Sequence, residues 1–217
     1  MNKKELIAKR IAQEFNDGDF VNLGIGIPTL VGNYIPEAIN VYLHSENGFT
    51  HAGPIQTEEA NIDKELINAS DQYVSILPGG VFFDSAVSFG IIRGGHLDAT
   101  VLGGLQVDQK GNLANWKVPG KKTVGVGGGM DLVSGAKRVI IAMEHTSKGV
   151  SKIVKKCDMP LTGLECVDLI VTDLAVIDVT PEGLVLKEVA PGVTIEQVLA
   201  ATEADLILDP NISTMQI

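Results

Sequence analysis

Apolar positions along the chain follow two different periods. Leu6, Ile7, Ile11 and Phe15 recur three and four residues apart, as on one face of a helix; Asn2 and Glu5 are spaced as a capping box, and Gly18 closes the segment. Short, largely apolar runs then follow at residues 20–24, 41–44, 73–77, 99–102 and 139–142, each of strand length and each separated by helical or looped segments. Runs of this kind point to strands covered on both faces, the environment of a parallel sheet. After the first run, Ile25-Gly26-Ile27 reads as a tight turn and Pro28 as the first residue of a helix, where its missing N–H costs nothing. Residues 169–173, 175–179 and 184–187 lie close together, divided by turn residues such as Pro181-Glu182-Gly183, and read as antiparallel. Thr194 caps a last helix from Ile195 to about Ala201, and residues 209–217 are expected to be loosely held. The pattern predicts an α/β fold: an open, mainly parallel sheet flanked by helices, with a small antiparallel β region near the C-terminus. No internal repeat or linker divides it, so residues 1–217 are read as a single domain.

Composition narrows the function. A chain of 217 residues that is 45% hydrophobic can bury roughly 70% of its unfolded surface in one core. The formal net charge of −10 argues against nucleic acid, whose phosphates call for a basic surface. Cys157 and Cys166 have no partner cysteine pair and no histidine at zinc spacing, which indicates reduced, buried thiols and neither a disulfide scaffold nor a metal site. The first residues are charged and amphipathic, unlike a signal peptide, and the longest uncharged stretch, 20–36, is broken by Gly24, Gly26, Pro28 and Gly32. A cytoplasmic protein with no membrane span is expected.

The chemistry concentrates at Leu43-His44-Ser45-Glu46-Asn47-Gly48, where a carboxylate stands at the end of an apolar strand just before a turn. Asn-Gly tolerates positive φ, so Asn47 and Gly48 are read as supports that swing the chain away after Glu46. With an unperturbed pKa of about 4.3, a glutamate is ionised at neutral pH and is a nucleophile without a base. None is evident: His44, His51, His96 and His145 form no triad with a serine. His44 is expected to be packed, and His51, five residues beyond Glu46, to line the same pocket. Farther on, Val124-Gly125-Val126-Gly127-Gly128-Gly129 can direct backbone amides into a pocket with no Cβ in the way, and Met130-Asp131-Leu132-Val133 begins a helix behind them. Taken alone, Glu46 reads equally as a solvated surface residue, and the glycine run as an ordinary strand-to-helix turn.

Ser45-Glu46-Asn47-Gly48 resembles the nucleophile motif of the family I coenzyme A transferases. The resemblance continues through Ile92-Arg93-Gly94-Gly95-His96, Leu113-Ala114-Asn115-Trp116, Val118-Pro119-Gly120-Lys121, residues 127–133 and Met159-Pro160-Leu161-Thr162. It implies the coenzyme A transferase fold, shared with sugar-phosphate isomerases, and a transferase of sulfur-containing groups. Glu46 is then the residue that attacks an acyl-CoA thioester and carries CoA as a glutamyl thioester in a ping-pong reaction. Gly127 is the implied oxyanion donor, with Gly128 beside it. The family usually has methionine where Val126 stands and alanine where Gly129 stands, and neither change removes a backbone donor. Coenzyme A is implied as substrate, with no permanently bound cofactor; because it is anionic, Lys121 and Lys122 are the nearest basic groups for it. The match is to the β subunit, or the second half of fused enzymes. An α subunit is therefore expected as partner, in an α2β2 tetramer with the active site between the chains. Residues 20–29 and 103–108 look most like the bacterial acetate, butyrate and acetoacetate transferases, with succinyl-CoA:3-oxoacid enzymes close behind.

Two other readings compete. Gly24-Ile25-Gly26 follows a strand and opens a helix, as in a dinucleotide-binding oxidoreductase domain, but Thr29 stands where the third glycine belongs. A non-catalytic subunit whose glycine loops only hold a partner is the other.

Overall fold

The computed structural model describes residues 2–121 and 125–217. Its helices are α1 (Lys3–Ala12), α2 (Ile27–Val31), α3 (Ser85–Arg93), α4 (Gly129–Gly135) and α5 (Ile195–Ala201). The first strands are β1 (Phe20–Leu23), β2 (Tyr42–Ser45), β3 (Phe49–Thr50), β4 (Ala52–Ile55), β5 (Val74–Ile76), β6 (Ala99–Gly103), β7 (Gln106–Asp108) and β8 (Leu113–Ala114). They are followed by β9 (Val139–Ala142), β10 (Thr146–Ser147), β11 (Val150–Ser151), β12 (Ile153–Val154), β13 (Leu169–Val171), β14 (Ala175–Thr180), β15 (Gly183–Val189) and β16 (Leu206–Thr214).

Among the described residues, nine strands form the main sheet in the order β16-β15-β14-β13-β9-β6-β1-β2-β3. The run from β13 to β2 is parallel throughout, and antiparallel pairing enters at β13–β14, β14–β15 and β2–β3. The apolar runs mark this centre because successive side chains point to opposite faces, and both faces are covered. Along β9, Val139 and Ile141 join one core with Ile92 of α3 and Leu132 and Val133 of α4; Ile140 and Ala142 join the other with Ile7, Ala8 and Ile11 of α1. β13 alternates likewise, with Ile170 on the α3–α4 side and Leu169 and Val171 on the α1 side.

The expected capping box at α1 and the Thr194 cap at α5 both form. Asn2 accepts from the Lys4 N–H at 2.8 Å while Glu5 reaches the Asn2 N–H, and Thr194 and Gln197 repeat the arrangement at α5. The first helix is shorter than the spacing predicts. It tightens at its end, where Gln13 N–H donates to Arg10 O and Glu14 N–H to Ile11 O, and Phe15 fills the core from beyond the last turn. Arg10 is buried in α1 and fastens it to the sheet through two 2.8 Å hydrogen bonds to Glu188 of β15 and one to Glu14.

Two expectations are corrected. The run at 73–77 forms β5, which pairs antiparallel with β4 in a separate two-stranded ribbon outside the main sheet; a small cluster of Phe49, Leu66 and Val74 supports it. The end of the chain is not loose. β16 pairs with β15 in parallel from Leu184↔Leu206 to Val189↔Thr214, and residues 209–212 bulge opposite Lys187. That bulge on an edge strand tolerates Pro210 and disguises the strand in the sequence. Lys187 pairs with Asp209, and Met215 is buried on the α1 side.

Ile170 is fully buried in the middle of the sheet. Ile170→Ala should lower the unfolding free energy by about 2–5 kcal/mol, read from urea denaturation followed by circular dichroism. A loss well under about 1 kcal/mol would contradict the close packing of α3 and α4 on this face.

Candidate active site

The carboxyl ends of β1, β2 and β6 lie side by side, and the chain leaves β1 for β2 on one side before returning to place β6 on the other, which reverses the strand order there. A crevice opens at such a reversal because the connections on either side diverge. Here a cavity of about 540 Å³ is lined by Asn22, Leu23, Gly24 and Ile25 from the β1 end, Glu46 from the β2 end, and residues 102–105 from the β6 end. Residues 125–129 and Asn115 with Trp116 complete its wall.

Glu46 follows directly on β2, and the turn around it is tied from several sides. Gly48 N–H donates to Ser45 O at 3.0 Å, and Phe83 N–H donates to Gly48 O at 2.9 Å. Gly48 has φ +130°, and any Cβ there would strike the Phe83 carbonyl oxygen, so glycine is required on both counts. Ser45 Oγ donates to Asn47 Oδ1 at 2.6 Å, and Asn47 Nδ2 donates to Ile67 O at 2.8 Å. Ser88 of α3 donates its hydroxyl to the Glu46 carbonyl at 2.7 Å.

The Glu46 side chain is half-buried and meets the start of α4. An ideal Cβ on Gly128 would lie 2.5 Å from Glu46 Oε2, 3.0 Å from its Cδ and 3.1 Å from the Phe89 ring. The glycine thus lets the carboxylate lie against the backbone. Burial raises the Glu46 pKa above the ordinary glutamate value; the Gly128 peptide N–H opposes that shift and the charge of Asp131 adds to it. Asp131 is itself paired with Arg93 at 2.7 Å, and the Arg93 guanidinium lies over the Phe89 ring.

Of the glycines singled out in the sequence, both Gly127 and Gly128 line the cavity, and Gly128 is the one whose missing Cβ leaves room for the Glu46 carboxylate. Gly127 sits at φ +56° with open space where a Cβ would be. Lys121 is exposed and does not line this cavity; Lys122 and Val124 lie outside the described residues. His51 does not line the pocket of Glu46. It has φ +60°, packs against Tyr42 at 4.7 Å and lines a second cavity of about 710 Å³. His44 is buried between Phe20 and Phe83, and burial pushes its pKa down to about 4, so the imidazole is neutral at physiological pH. The thiols of Cys157 and Cys166 are pushed up by burial to about 12 and about 11 and stay protonated. Among the described residues no group of three or more His, Cys, Asp or Glu side chains is placed to hold a metal.

Sequence reasoning gave Asn115 and Trp116 no role of their own. Both line the cavity, held there as Thr162 Oγ1 donates to Asn115 Oδ1 at 2.6 Å and Trp116 Nε1 donates to Leu161 O at 3.2 Å. An Asn-Trp pair carries no chemical signal until distant segments bring it opposite a carboxylate. Thr29, standing where a dinucleotide site needs its third glycine, donates its hydroxyl back to Gly24 O at 3.1 Å, and α2 is only five residues long. That turn is thus closed by a side chain where the dinucleotide motif has glycine.

Residues 4–201 match the family model described as coenzyme A transferase. The chain is 57% identical to acetate CoA-transferase subunit beta of Haemophilus influenzae, covering 100% of this chain and 97% of that one. It is 49% identical to a mitochondrial succinyl-CoA:3-ketoacid coenzyme A transferase of Homo sapiens over 97% of this chain, but spans 41% of that longer protein. Among solved structures, an acyl-CoA transferase from Escherichia coli O157:H7 superposes with a TM-score of 0.80 at 24% identity, over 99% of this chain and 43% of that one. Glutaconate coenzyme A-transferase from Acidaminococcus fermentans superposes with a TM-score of 0.75 at 19% identity, over 100% of this chain and 89% of that one. These two likenesses establish the shared fold.

A raised Glu46 pKa means that the folded chain holds this proton more tightly than the unfolded one. The group's contribution to stability is therefore full below the ordinary glutamate pKa and is lost as the pH rises through the folded value. Glu46→Gln cannot ionise, so it should melt at a higher temperature than the parent chain at neutral pH, and the gap should close as the pH falls below the ordinary glutamate range. Thermal scans across that range decide; a parent chain at least as stable as the variant at neutral pH would contradict the burial of a charge here.

Proposed function

The chain belongs to the coenzyme A transferase family, and from that premise we propose that it is the β subunit of an enzyme moving CoA between an acyl-CoA and a short-chain carboxylate through a thioester on Glu46. The observation that carries this reading is the Glu46 carboxylate lying against the Gly128 peptide, at the carboxyl ends of three parallel strands.

Exchange of CoA between two acids needs a group that accepts the acyl unit, then CoA, and loses neither to water. Glu46 Oε attacks the thioester carbonyl carbon, the C–S bond breaks, and CoA leaves as thiolate from a mixed anhydride. The thiolate attacks Glu46 Cδ, the first acid departs as carboxylate, and residue 46 carries CoA. A second carboxylate reverses the two steps, leaving a new acyl-CoA and free Glu46. No proton moves in any step, which accords with a site whose nearby histidine, His44, is buried and neutral. A serine or cysteine could hold the acyl group but could not carry CoA as its own acyl thioester. Burial assists, because it penalises the carboxylate while the anhydride and thioester at residue 46 bear no charge. Each tetrahedral oxyanion needs a donor, and a well-placed peptide N–H supplies about 3–4 kcal/mol. Gly128 is adjacent to Glu46, and Gly127 is the donor the family motif implies.

The relative from Haemophilus influenzae is named as a subunit beta, and the human relative carries a matching segment within one longer chain. An α subunit completing the site across the cavity, in an α2β2 tetramer, follows from this reading. Coenzyme A is then substrate, with no permanently bound cofactor. The acids are acetate, butyrate or acetoacetate, with succinate as a further candidate. No described helix is long and apolar enough to cross a membrane, and the reading places the enzyme in the cytoplasm.

Assayed with the α subunit, Glu46→Ala should assemble normally and lose transfer with every acid. Glu46→Asp should fail as well, its oxygen drawn back by about one C–C bond. Gly128→Ala keeps an allowed backbone but pushes the carboxylate aside, and should cost about 100-fold or more in kcat with the fold intact. Undiminished turnover by Glu46→Ala would overturn the proposal.

A further inference from the structure

A chain of buried polar side chains runs through the sheet and ends on the backbone of Glu46. Thr100 comes from β6, Asn22 from β1, His44 from β2 and Ser88 from α3, and none is more than 3% exposed. Their hydrogens can be assigned from the far end. Ser88 has one hydroxyl proton, and it goes to the Glu46 carbonyl at 2.7 Å, because that oxygen can only accept. The 3.0 Å contact between Ser88 Oγ and His44 Nε2 then requires the imidazole to donate from Nε2. Neutral His44 therefore has a bare Nδ1, which accepts from Asn22 Nδ2 at 3.3 Å; the same amide group donates to His44 O at 3.3 Å. Asn22 Oδ1 accepts from the Thr100 hydroxyl at 3.4 Å. Every link points the same way, from the centre of the sheet toward residue 46.

We infer that Asn22, His44 and Ser88 are positioning residues for transfer, holding the Glu46 peptide so that its carboxylate stays against Gly128. The inference rests on the reading of Glu46 as nucleophile. Glu46 lies outside β2, so no sheet hydrogen bond from a neighbouring strand fixes its carbonyl; Ser88 does so from the adjacent helix. The chain is built for a neutral imidazole with one particular tautomer. Burial between Phe20 and Phe83 keeps it neutral, and the Asn22 amide donor selects the tautomer. An apolar trio of the same shape would satisfy packing alone, since a buried polar chain adds little net stability over it.

The test uses the complex with the α subunit. Ser88→Ala removes the donor to the Glu46 carbonyl, and Asn22→Leu removes the donor that sets the tautomer while keeping the volume close. Each should melt within a few degrees of the parent and assemble with α, yet lower kcat about tenfold or more with KM for acyl-CoA within about twofold. Nitrogen-15 NMR of the histidine-labelled parent complex should show His44 protonated on Nε2 and bare on Nδ1. A His44 proton on Nδ1, or parental kcat in either folded variant, would overturn the inference. If one variant fails to fold, the other and the tautomer still decide. Glu46→Ala assayed in parallel separates the two claims: turnover there sinks the nucleophile, whereas a dead Glu46→Ala beside a fully active Ser88→Ala sinks only the positioning chain.

Discussion

A carboxylate drawn partly out of water needs room to lie against backbone, and at Glu46 the absent side chain of Gly128 provides it. The approach is close enough that even a methyl group on Gly128 would collide with the carboxylate. Burial raises the Glu46 pKa while the Gly128 N–H pulls it back, so the fold penalises the ionised form of this group more than water does. The surrounding structure serves this one contact. Gly48 turns the chain where no other residue fits, Asn47 and Ser45 anchor the turn, and α4 brings its first peptides to face it.

The sheet supplies the rigidity. Its parallel centre is covered on both faces, by α1 on one side and by α3 and α4 on the other, so the ends of β1, β2 and β6 are fixed relative to one another. Three strand ends abreast give a crevice whose floor is backbone. A reactive side chain set on such a floor has its direction decided by the fold and little freedom to stray. The antiparallel strands β14 and β15 and the parallel edge strand β16 extend the sheet beyond the crevice, joined to α1 through Arg10 and Glu188.

Much of this was legible in the residues, and what was not has physical reasons. The α1 capping box, the Thr194 cap and the strands at 99–103 and 139–142 follow from local spacing, because caps and buried strands are decided by neighbours in sequence. The pairing of a strand is not. The run at 73–77 is as apolar as a sheet strand, yet it joins a ribbon, and β16 hides behind Pro210 and a bulge. Within the site, Glu46 is conspicuous at the end of β2. His51 is near it in sequence but is carried to another cavity by the turn at Gly48, which reverses the chain into β3. Asn115, Trp116, Asn22 and Ser88 come from segments far apart along the chain and meet only once the sheet has formed.

Transfer through a Glu46 thioester requires residue 46 to become covalently joined to coenzyme A during turnover. The most direct measurement is peptide mass spectrometry of the complex with the α subunit, treated with acyl-CoA and then borohydride, which reduces a thioester to an alcohol. A reduced side chain at residue 46 that depends on acyl-CoA is the expected result. Reduction at a different residue, or an unmodified residue 46 in an enzyme that is turning over, would contradict it.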